Sequence, residues 1–458
     1  MLQHDRTMSM MTNISHLYFI GIGGIGMSAL ARYCQGEGKM IYGYDKTPSD
    51  ITAALQTEGM RLTFTDTVSE IPSEVLTAQN TLVVYTPAIP ESNTILSWFR
   101  ANEFNVLKRA ALLGDITKHT TCLAVAGTHG KTTTSAILGH LMAACDMPVT
   151  AFLGGIAENY HSNFIQNGTD ISVVEADEFD RSFLQLSPDI ACVTSMDADH
   201  LDIYGDSNAI EAAFKAFSEL LPKKENLLFK KGLPLEGQTV AVGEEADFEA
   251  RNVRIEDGCY VFDLKTPTEL IRDMKFCLPG HHNLHNAVTA LGMAISAGTP
   301  THGLPKALAN FRGVERRFSY RIKEDDLVLI DDYAHHPTEI DALHQAVEEM
   351  YPEEQKLIVF QPHLFSRTSD FGDGFARSLE QFDEVVLMHI YPAREEPIPG
   401  IDSAWLLSKV QHVNKQLVNR SDLADVIGRS SCRIKLMVGA GDIGAEVPKV
   451  VEKLGYEA

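Results

Sequence analysis

Two glycine-rich turns, each set between an apolar strand-like run and a helix-like run, constrain this chain more than any other feature. The more informative one is Ala126-Gly127-Thr128-His129-Gly130-Lys131-Thr132-Thr133-Thr134. It follows Cys122-Leu123-Ala124-Val125 and opens the run Ser135–Met142. Strand, glycine turn and helix N-terminus together make a phosphate cradle: glycines let backbone N–H groups turn inward, and the helix dipole favours an anion. Lys131 is expected to reach the β- and γ-phosphates and Thr132 to hold Mg²⁺ through its hydroxyl, with Gly127, Thr128, His129, Gly130 and Thr133 shaping the loop. The common P-loop has a glycine five positions before Gly130, where this chain has Val125, so the loop is a short variant.

The other turn is Gly21-Ile22-Gly23-Gly24-Ile25-Gly26, between the strand-like His16–Ile20 and the helix-like Met27–Cys34. Gly-x-Gly-x-x-Gly in that context is a dinucleotide fingerprint, and Asp45, after the strand-like Met40–Tyr44, lies where a ribose-binding acid is expected. A further strand, Thr81–Tyr85, runs into Thr86-Pro87-Ala88. Taken alone, the turn signals the diphosphate of a nucleotide without specifying which. A nicotinamide-dependent oxidoreductase would explain Gly21–Gly26 and Asp45, but it leaves the second turn without a purpose.

Bulk properties narrow the field. A chain of 458 residues exceeds one hydrophobic core. No apolar run approaches the ~20 residues of a membrane span, and the N-terminal residues have no apolar core of the secretory kind. The formal charge of −23, without a dense Lys/Arg block, disfavours nucleic acid as a partner. Anionic ligands must therefore be met by helix N-termini, metal ions and single Arg or Lys residues. Seven scattered cysteines with no Cys-x-x-Cys pair read as reduced core residues of a cytoplasmic protein.

Strand-like and helix-like runs alternate throughout, which predicts an α/β fold with parallel sheets in three domains. These are a Rossmann-like domain over 1–110, a central P-loop-type ATPase domain over 111–313 and a Rossmann-like C-terminal domain over 314–458. Acids gather at two strand ends of the central segment: Glu175-Ala176-Asp177-Glu178 and Asp197-Ala198-Asp199-His200-Leu201-Asp202. Carboxylates at the C-terminal edge of a parallel sheet sit where ligands bind. Beside a phosphate cradle they suit Mg²⁺, one ion or two, with Glu175 and His200 as leading ligands. His281-His282-Asn283-Leu284-His285-Asn286 opens a helix, and its amides suit either an adenine edge or a helix cap. In the last segment, Arg316-Arg317-Phe318, Asp331-Asp332-Tyr333-Ala334-His335-His336-Pro337 and Gln361–Arg367 follow or flank strands. Two nucleotide sites imply that ATP activates a group carried on another nucleotide; the residues alone leave kinase and ligase both open.

The ordered set Gly127–Thr133, Glu175–Glu178, Asp199-His200, His282-Asn283-x-x-Asn286, Arg316-Arg317-Phe318 and Asp332–Pro337 resembles the Mur ligase family, nearly end to end. The resemblance implies a bacterial, cytoplasmic, ATP-dependent ligase of peptidoglycan precursor synthesis. By it, the first domain holds a UDP-sugar, UDP-N-acetylmuramate, at Gly21, Gly23, Gly24, Ile25, Gly26, Met27, Asp45, Thr86, Pro87 and Ala88. The central domain takes ATP, with His282, Asn283 and Asn286 at the adenine and Arg317 and Asp332 reaching the nucleotide. The third domain takes an amino acid. Gln361-Pro362-His363 points to the branch that adds L-alanine rather than the one that attaches a ready-made tripeptide. The amino-acid carboxylate calls for an Arg fork, here Arg367, with His335 and His363 to guide the amine. A monomer or weak dimer is expected. Three departures stand out: Ser195 where the family often has Asn, Leu364 where it often has Arg, and Lys215. Sister ligases carry a carbamoylated, metal-bridging lysine at the spacing of Lys215; the plainer alternative is a lysine on a helix surface.

Overall fold

The computed structural model describes residues 10–197, 207–393 and 395–456, and within these the side chains of 179–181 and 207–208 are not described. Three sheets, of five, ten and six strands, alternate with helices along the chain, the α/β architecture that the alternating runs predict. The chain resolves into two compact units, one made of Met1–Arg254, Val261–Phe276 and His285–Arg312, the other of Ile255–Tyr260, Cys277–Leu284 and Gly313–Ala458.

In the first unit, the five-stranded sheet runs Arg61–Thr63, Met40–Tyr44, His16–Ile20, Thr81–Tyr85, Asn105–Lys108, all parallel. Apart from their ends, the inner strands are buried on both faces, as their unbroken apolar runs require. The order reverses beside His16–Ile20, so a crevice opens at the carboxyl ends of His16–Ile20 and Thr81–Tyr85. The Gly21–Gly26 turn and Thr86 lie at that crevice. Gly21 has φ +86°, and a Cβ there would stand 2.8 Å from Thr86 Cγ2, so glycine is required twice over.

In the larger sheet, Thr121–Ala126 is an inner strand that pairs in parallel with Ile171–Glu175 on one side and Ile190–Val193 on the other. The strands that lead into the two acid runs are therefore not neighbours: one lies on each side of the strand that enters the Gly127–Gly130 turn, and 198–202 of the second run lie outside the described residues. Beyond Ile171–Glu175 come Val149–Ala157 and Ser162–Gln166, and beyond Ile190–Val193 comes Leu227–Lys230.

The first two sheets share one core, which the three-domain reading does not anticipate. A single apolar cluster joins Phe19, Leu30 and Leu112 to Phe152, Val174 and Ala126. The helix Ile25–Gly36 is also fastened by fully buried Asn163, whose amide donates to Ile25 O and to Ser28 Oγ. There is no linker at 108–111 either: Lys108 ends a strand and Arg109 begins the helix Arg109–Thr117.

In the second unit, the six-stranded sheet runs Ser319–Lys323, Val328–Asp332, Ile434–Val438, Lys356–Phe360, Glu384–Leu387, Lys415–Leu417. The first pair is antiparallel and the rest are parallel. One cysteine expectation is corrected here. Cys259 and Cys277 form a disulfide with Cα atoms 4.1 Å apart, while the other five cysteines are free. The pair is eighteen positions apart in sequence: the consecutive strands Cys259–Lys265 and Leu270–Phe276 are neighbours, and the short turn between them brings the two cysteines together.

Candidate active site

The cradle is built as the sequence implies. Gly127 and Gly130 have φ +133° and +83°, and Gly130 caps the helix Lys131–Ala144. Both glycines are also closely packed. A Cβ on Gly127 would strike Thr194 and Ser195, and one on Gly130 would stand 2.5 Å from Asn286 Oδ1. Asn286 therefore lies at the cradle. Ser195 makes the polar contact that its departure from Asn put in question: its hydroxyl accepts from His129 N at 2.8 Å and pairs with Thr128 Oγ1 at 2.8 Å. His129 Nε2 is also 3.6 Å from Asp197.

The three acids of Glu175–Glu178 take three different partners. Glu175 accepts from Thr132 Oγ1 at 3.1 Å, Ser135 Oγ at 3.0 Å and Gly154 N at 2.5 Å. Burial raises its carboxyl above the usual range, against the pull of those donors and of Lys131. Asp177 lies 3.5 Å from the Arg109 guanidinium. Glu178 grips the Lys131 amine with both oxygens, at 2.9 and 2.8 Å, and Gly127 O takes a third bond from that amine at 2.6 Å. An ammonium has three protons, so Lys131 is fully engaged in this arrangement. The Glu178 side chain is 3 % exposed and that of Lys131 17 %, so the carboxylate is buried and the pair partly so. Ser135, Glu178 and Arg109 were not singled out as site residues from sequence. Glu178 stood inside a recognised acid cluster, whereas Arg109 carries no motif.

A hydroxyl and a carboxylate 3.1 Å apart beside a phosphate turn form the all-oxygen donor set that Mg²⁺ takes. Thr132 and Glu175 thus fit the ion. His200 lies outside the described residues. Lys215 is half-exposed on the helix Ser207–Ser218, and its amine bonds Glu211 Oε1 at 2.6 Å on the same helix, not Thr132 or Glu175.

At the N-terminal turn, Gly23 N donates to Asp45 Oδ2 at 2.8 Å. Asp45 is thus tied to the turn itself. A Cβ on Gly23 would meet Asp45 Oδ2 at 2.9 Å and Thr52 Cγ2 at 2.8 Å. Gly24 caps the helix that Ile25 begins, and Met27 is buried beneath it. Pro87 and Ala88 are exposed beyond the strand end.

In the second unit, Asp332 is held by Phe318 N at 2.7 Å and Ala334 N at 2.8 Å. Burial pushes its carboxyl up to about 6, with the Arg317 charge pulling the other way. The Arg317 guanidinium stacks on the Tyr333 ring at 5.2 Å. Arg316, at φ +60°, pairs with Asp331 and donates to Gly439 O, so the Gly439–Gly444 turn serves to lock Arg316. His335, His363 and Arg367 come together: the two imidazoles are 6.2 Å apart, and Arg367 Nη1 is 3.5 Å from His363 Nδ1. Burial lowers the His335 pKa, although Glu339 opposes the shift, which favours a neutral ring at neutral pH. Leu364 sits at φ +70° with its N–H on Tyr391 O, just before the helix Phe365–Asp370. Asn283 does not cap its helix. It lies inside His281–Ser296, buried, and its amide donates to Pro279 O at 2.6 Å. His282 is exposed.

Comparison with known proteins agrees with this geometry. Profiles described as "Mur ligase family, catalytic domain", "Mur ligase middle domain" and "Mur ligase, glutamate ligase domain" match residues 16–121, 125–294 and 316–443. A UDP-N-acetylmuramate--L-alanine ligase of Christiangramia forsetii is 56% identical over 449 residues, spanning 98% of this chain and 99% of its own. The protein of that name from Flavobacterium psychrophilum is 57% identical over 444 residues, 97% of this chain and 99% of its own. Among solved structures, UDP-N-acetylmuramate-alanine ligase from Thermotoga maritima superposes with a TM-score of 0.81 at 27% identity, covering 96% of this chain and 98% of that one. A glycine cradle whose lysine, threonine and flanking acids engage one another, in a chain matched along nearly its whole length, leaves one conclusion: this protein belongs to the Mur ligase family.

Proposed function

We propose that the chain joins L-alanine to the lactyl carboxylate of UDP-N-acetylmuramate, with ATP converted to ADP and phosphate, in the bacterial cytoplasm. The observation that carries this reading is the 56–57% identity, over nearly the full length, to ligases of that name. The reaction runs in two steps. A lactyl carboxylate oxygen attacks the γ-phosphorus and ADP leaves, giving an acyl phosphate. The alanine amine then attacks the acyl carbon, phosphate leaves and the amine proton is lost, giving the amide.

Residues 1–110 hold the UDP-sugar, 111–313 the ATP and 314–458 the amino acid. Lys131 follows the transferring phosphoryl group and offsets its charge, once its N–H donors have turned from Glu178 and Gly127 O to the phosphates. Asn286, with His282 and Asn283, serves the adenine; Arg317 and Asp332 serve the nucleotide. Thr132 and Glu175 would hold Mg²⁺, with His200 as a further ligand, and the bound ion would supply positive charge to the site. Arg367 takes the alanine carboxylate, and His335, kept neutral by burial, is the group to accept the amine proton.

Phosphate release tests the reading. ATP, UDP-N-acetylmuramate and L-alanine together should release phosphate, and omission of any one should stop the release. Turnover with a tripeptide but not with free L-alanine would reassign the chain to the recycling branch.

A further inference from the structure

The N-terminal turn lacks something its ligand needs. Gly21-Ile22-Gly23-Gly24-Ile25-Gly26-Met27-Ser28 contains no cation. One of its N–H groups, on Gly23, is already engaged by the anionic side chain of Asp45. A sugar nucleotide brings two negative phosphoryl groups to this turn, in a chain of net charge −23. Backbone dipoles alone would have to outweigh both the neighbouring carboxylate and the overall repulsion.

The missing charge stands beside Gly26. Arg109 opens the helix Arg109–Thr117 directly after the strand Asn105–Lys108, which is parallel to Thr81–Tyr85. It therefore emerges at the carboxyl edge of the sheet, the same edge as the glycine turn and Thr86. Its guanidinium fills the space that a Cβ on Gly26 would take. On the other side it meets Asp177 at 3.5 Å, within the acid run whose neighbours Glu175 and Glu178 hold Thr132 and Lys131. The Arg109 and Asp177 side chains are 31 % and 41 % exposed, and an ion pair that open to solvent contributes little to stability. An arginine pressed against a helix start, where glycine alone leaves it room, is better explained by a ligand. Its planar fork of five donors matches adjacent phosphoryl oxygens.

We infer that Arg109 binds the diphosphate of the UDP-sugar, with Asp177 holding the guanidinium between the two glycine turns. The inference rests on the substrate reading proposed above. Titration calorimetry on the full chain tests it, using UDP-N-acetylmuramate, UDP and a non-hydrolysable ATP analogue as separate probes. Arg109→Met keeps length and removes charge; Arg109→Lys keeps charge and loses the fork. The Met variant should bind UDP-N-acetylmuramate and UDP roughly ten- to one-hundredfold more weakly. The Lys variant should recover part of that loss. Affinity for the ATP analogue should hold within about twofold in both, which also shows that the variants fold. Unchanged UDP-sugar binding in Arg109→Met overturns the assignment. So does a loss confined to UDP-N-acetylmuramate with UDP unaffected, because the guanidinium would then serve the lactyl or sugar part. An equal loss for the ATP analogue places Arg109 on the nucleotide side instead. Failure of the wild-type chain to bind either UDP ligand is a separate result: it removes the substrate reading, and the Arg109 assignment with it.

Discussion

The two glycine turns of the first unit have the same local grammar and opposite furnishing. Each leaves a central parallel strand and opens a helix, and each uses positive-φ glycine where a Cβ would collide with a neighbour. The turn at Gly127–Gly130 is crowded with charged and hydroxyl side chains: Lys131 on Glu178, Thr132 on Glu175, Ser195 on His129. The turn at Gly21–Gly26 has no charged side chain of its own: it offers backbone, with the Asp45 carboxylate on Gly23 N and the Arg109 guanidinium against Gly26. On the proposed function, the difference separates two tasks. A turn that only holds a diphosphate needs room, N–H groups and a fixed charge close by, which Arg109 supplies from outside the turn. A turn where a phosphoryl group leaves its donor also needs charge that can follow it, held until the ligand arrives.

The sharpest way to break this contrast is Lys131→Ala. Turnover should fall by ~10²–10³, the usual loss when one preorganised charge is removed. The structure adds a cost that the sequence does not disclose. Glu178 is 3 % exposed and loses its cation, so thermal stability should fall as well. Adding Glu178→Gln should restore the melting temperature without restoring turnover. If one change restores both, or if turnover never falls, the pair is structural and the chemistry lies elsewhere.

Neither turn accounts for the third substrate, and Arg367→Ala tests where it goes. Loss of a charged hydrogen bond of ~1.5–3 kcal/mol should raise the KM for L-alanine ten- to more than one-hundredfold, with the KM values for ATP and UDP-sugar nearly unchanged. Initial-rate measurements varying each substrate in turn decide it; an unchanged KM for alanine would place its carboxylate at another residue.

At the holding turn, Gly23→Val would drive a side chain into Asp45 and Thr52. The KM for UDP-N-acetylmuramate should rise on the order of tenfold, about one lost hydrogen bond or its equivalent in displaced backbone. A defect seen for ATP alone would show that the two turns are not divided as described.

The smallest effect is expected at Lys215. Its pairing with Glu211 is solvent-exposed and contributes ~0–1 kcal/mol at most, so Lys215→Ala should leave turnover within about twofold. A large loss, together with added mass of one CO₂ on the intact protein, would reinstate a metal-bridging carbamate.

Legibility followed chain distance. The Gly127–Thr132 cradle was readable because strand, loop and helix are consecutive and each residue's role follows from its offset. That the Glu175 and Thr194–Ser195 strand ends share one sheet edge with the cradle was readable in outline, since alternating βα runs imply a parallel sheet; that the cradle's own strand separates them was not. That Glu178 rather than Glu175 grips Lys131 was not, because side-chain reach within an acid run depends on how the backbone turns after Glu175. Asn283 was misread as a possible cap for the same reason: its amide turns back to Pro279 O within the first turn of the helix.

By itself, then, the sequence determined the α/β class, the two glycine turns and the family, all of which are written in runs of ten to fifteen residues whose period and glycine placement have few structural meanings. Tertiary structure alone decided four other things: the core shared by the first two sheets, the Cys259–Cys277 disulfide, the Lys131–Glu178 pair, and the seat of Arg109 between Gly26 and Asp177. All but the disulfide, which closes the ends of two consecutive strands, join residues tens of positions apart. Such contacts depend on the order in which strands enter a sheet and on which faces the helices cover, and no local pattern of residue types records either.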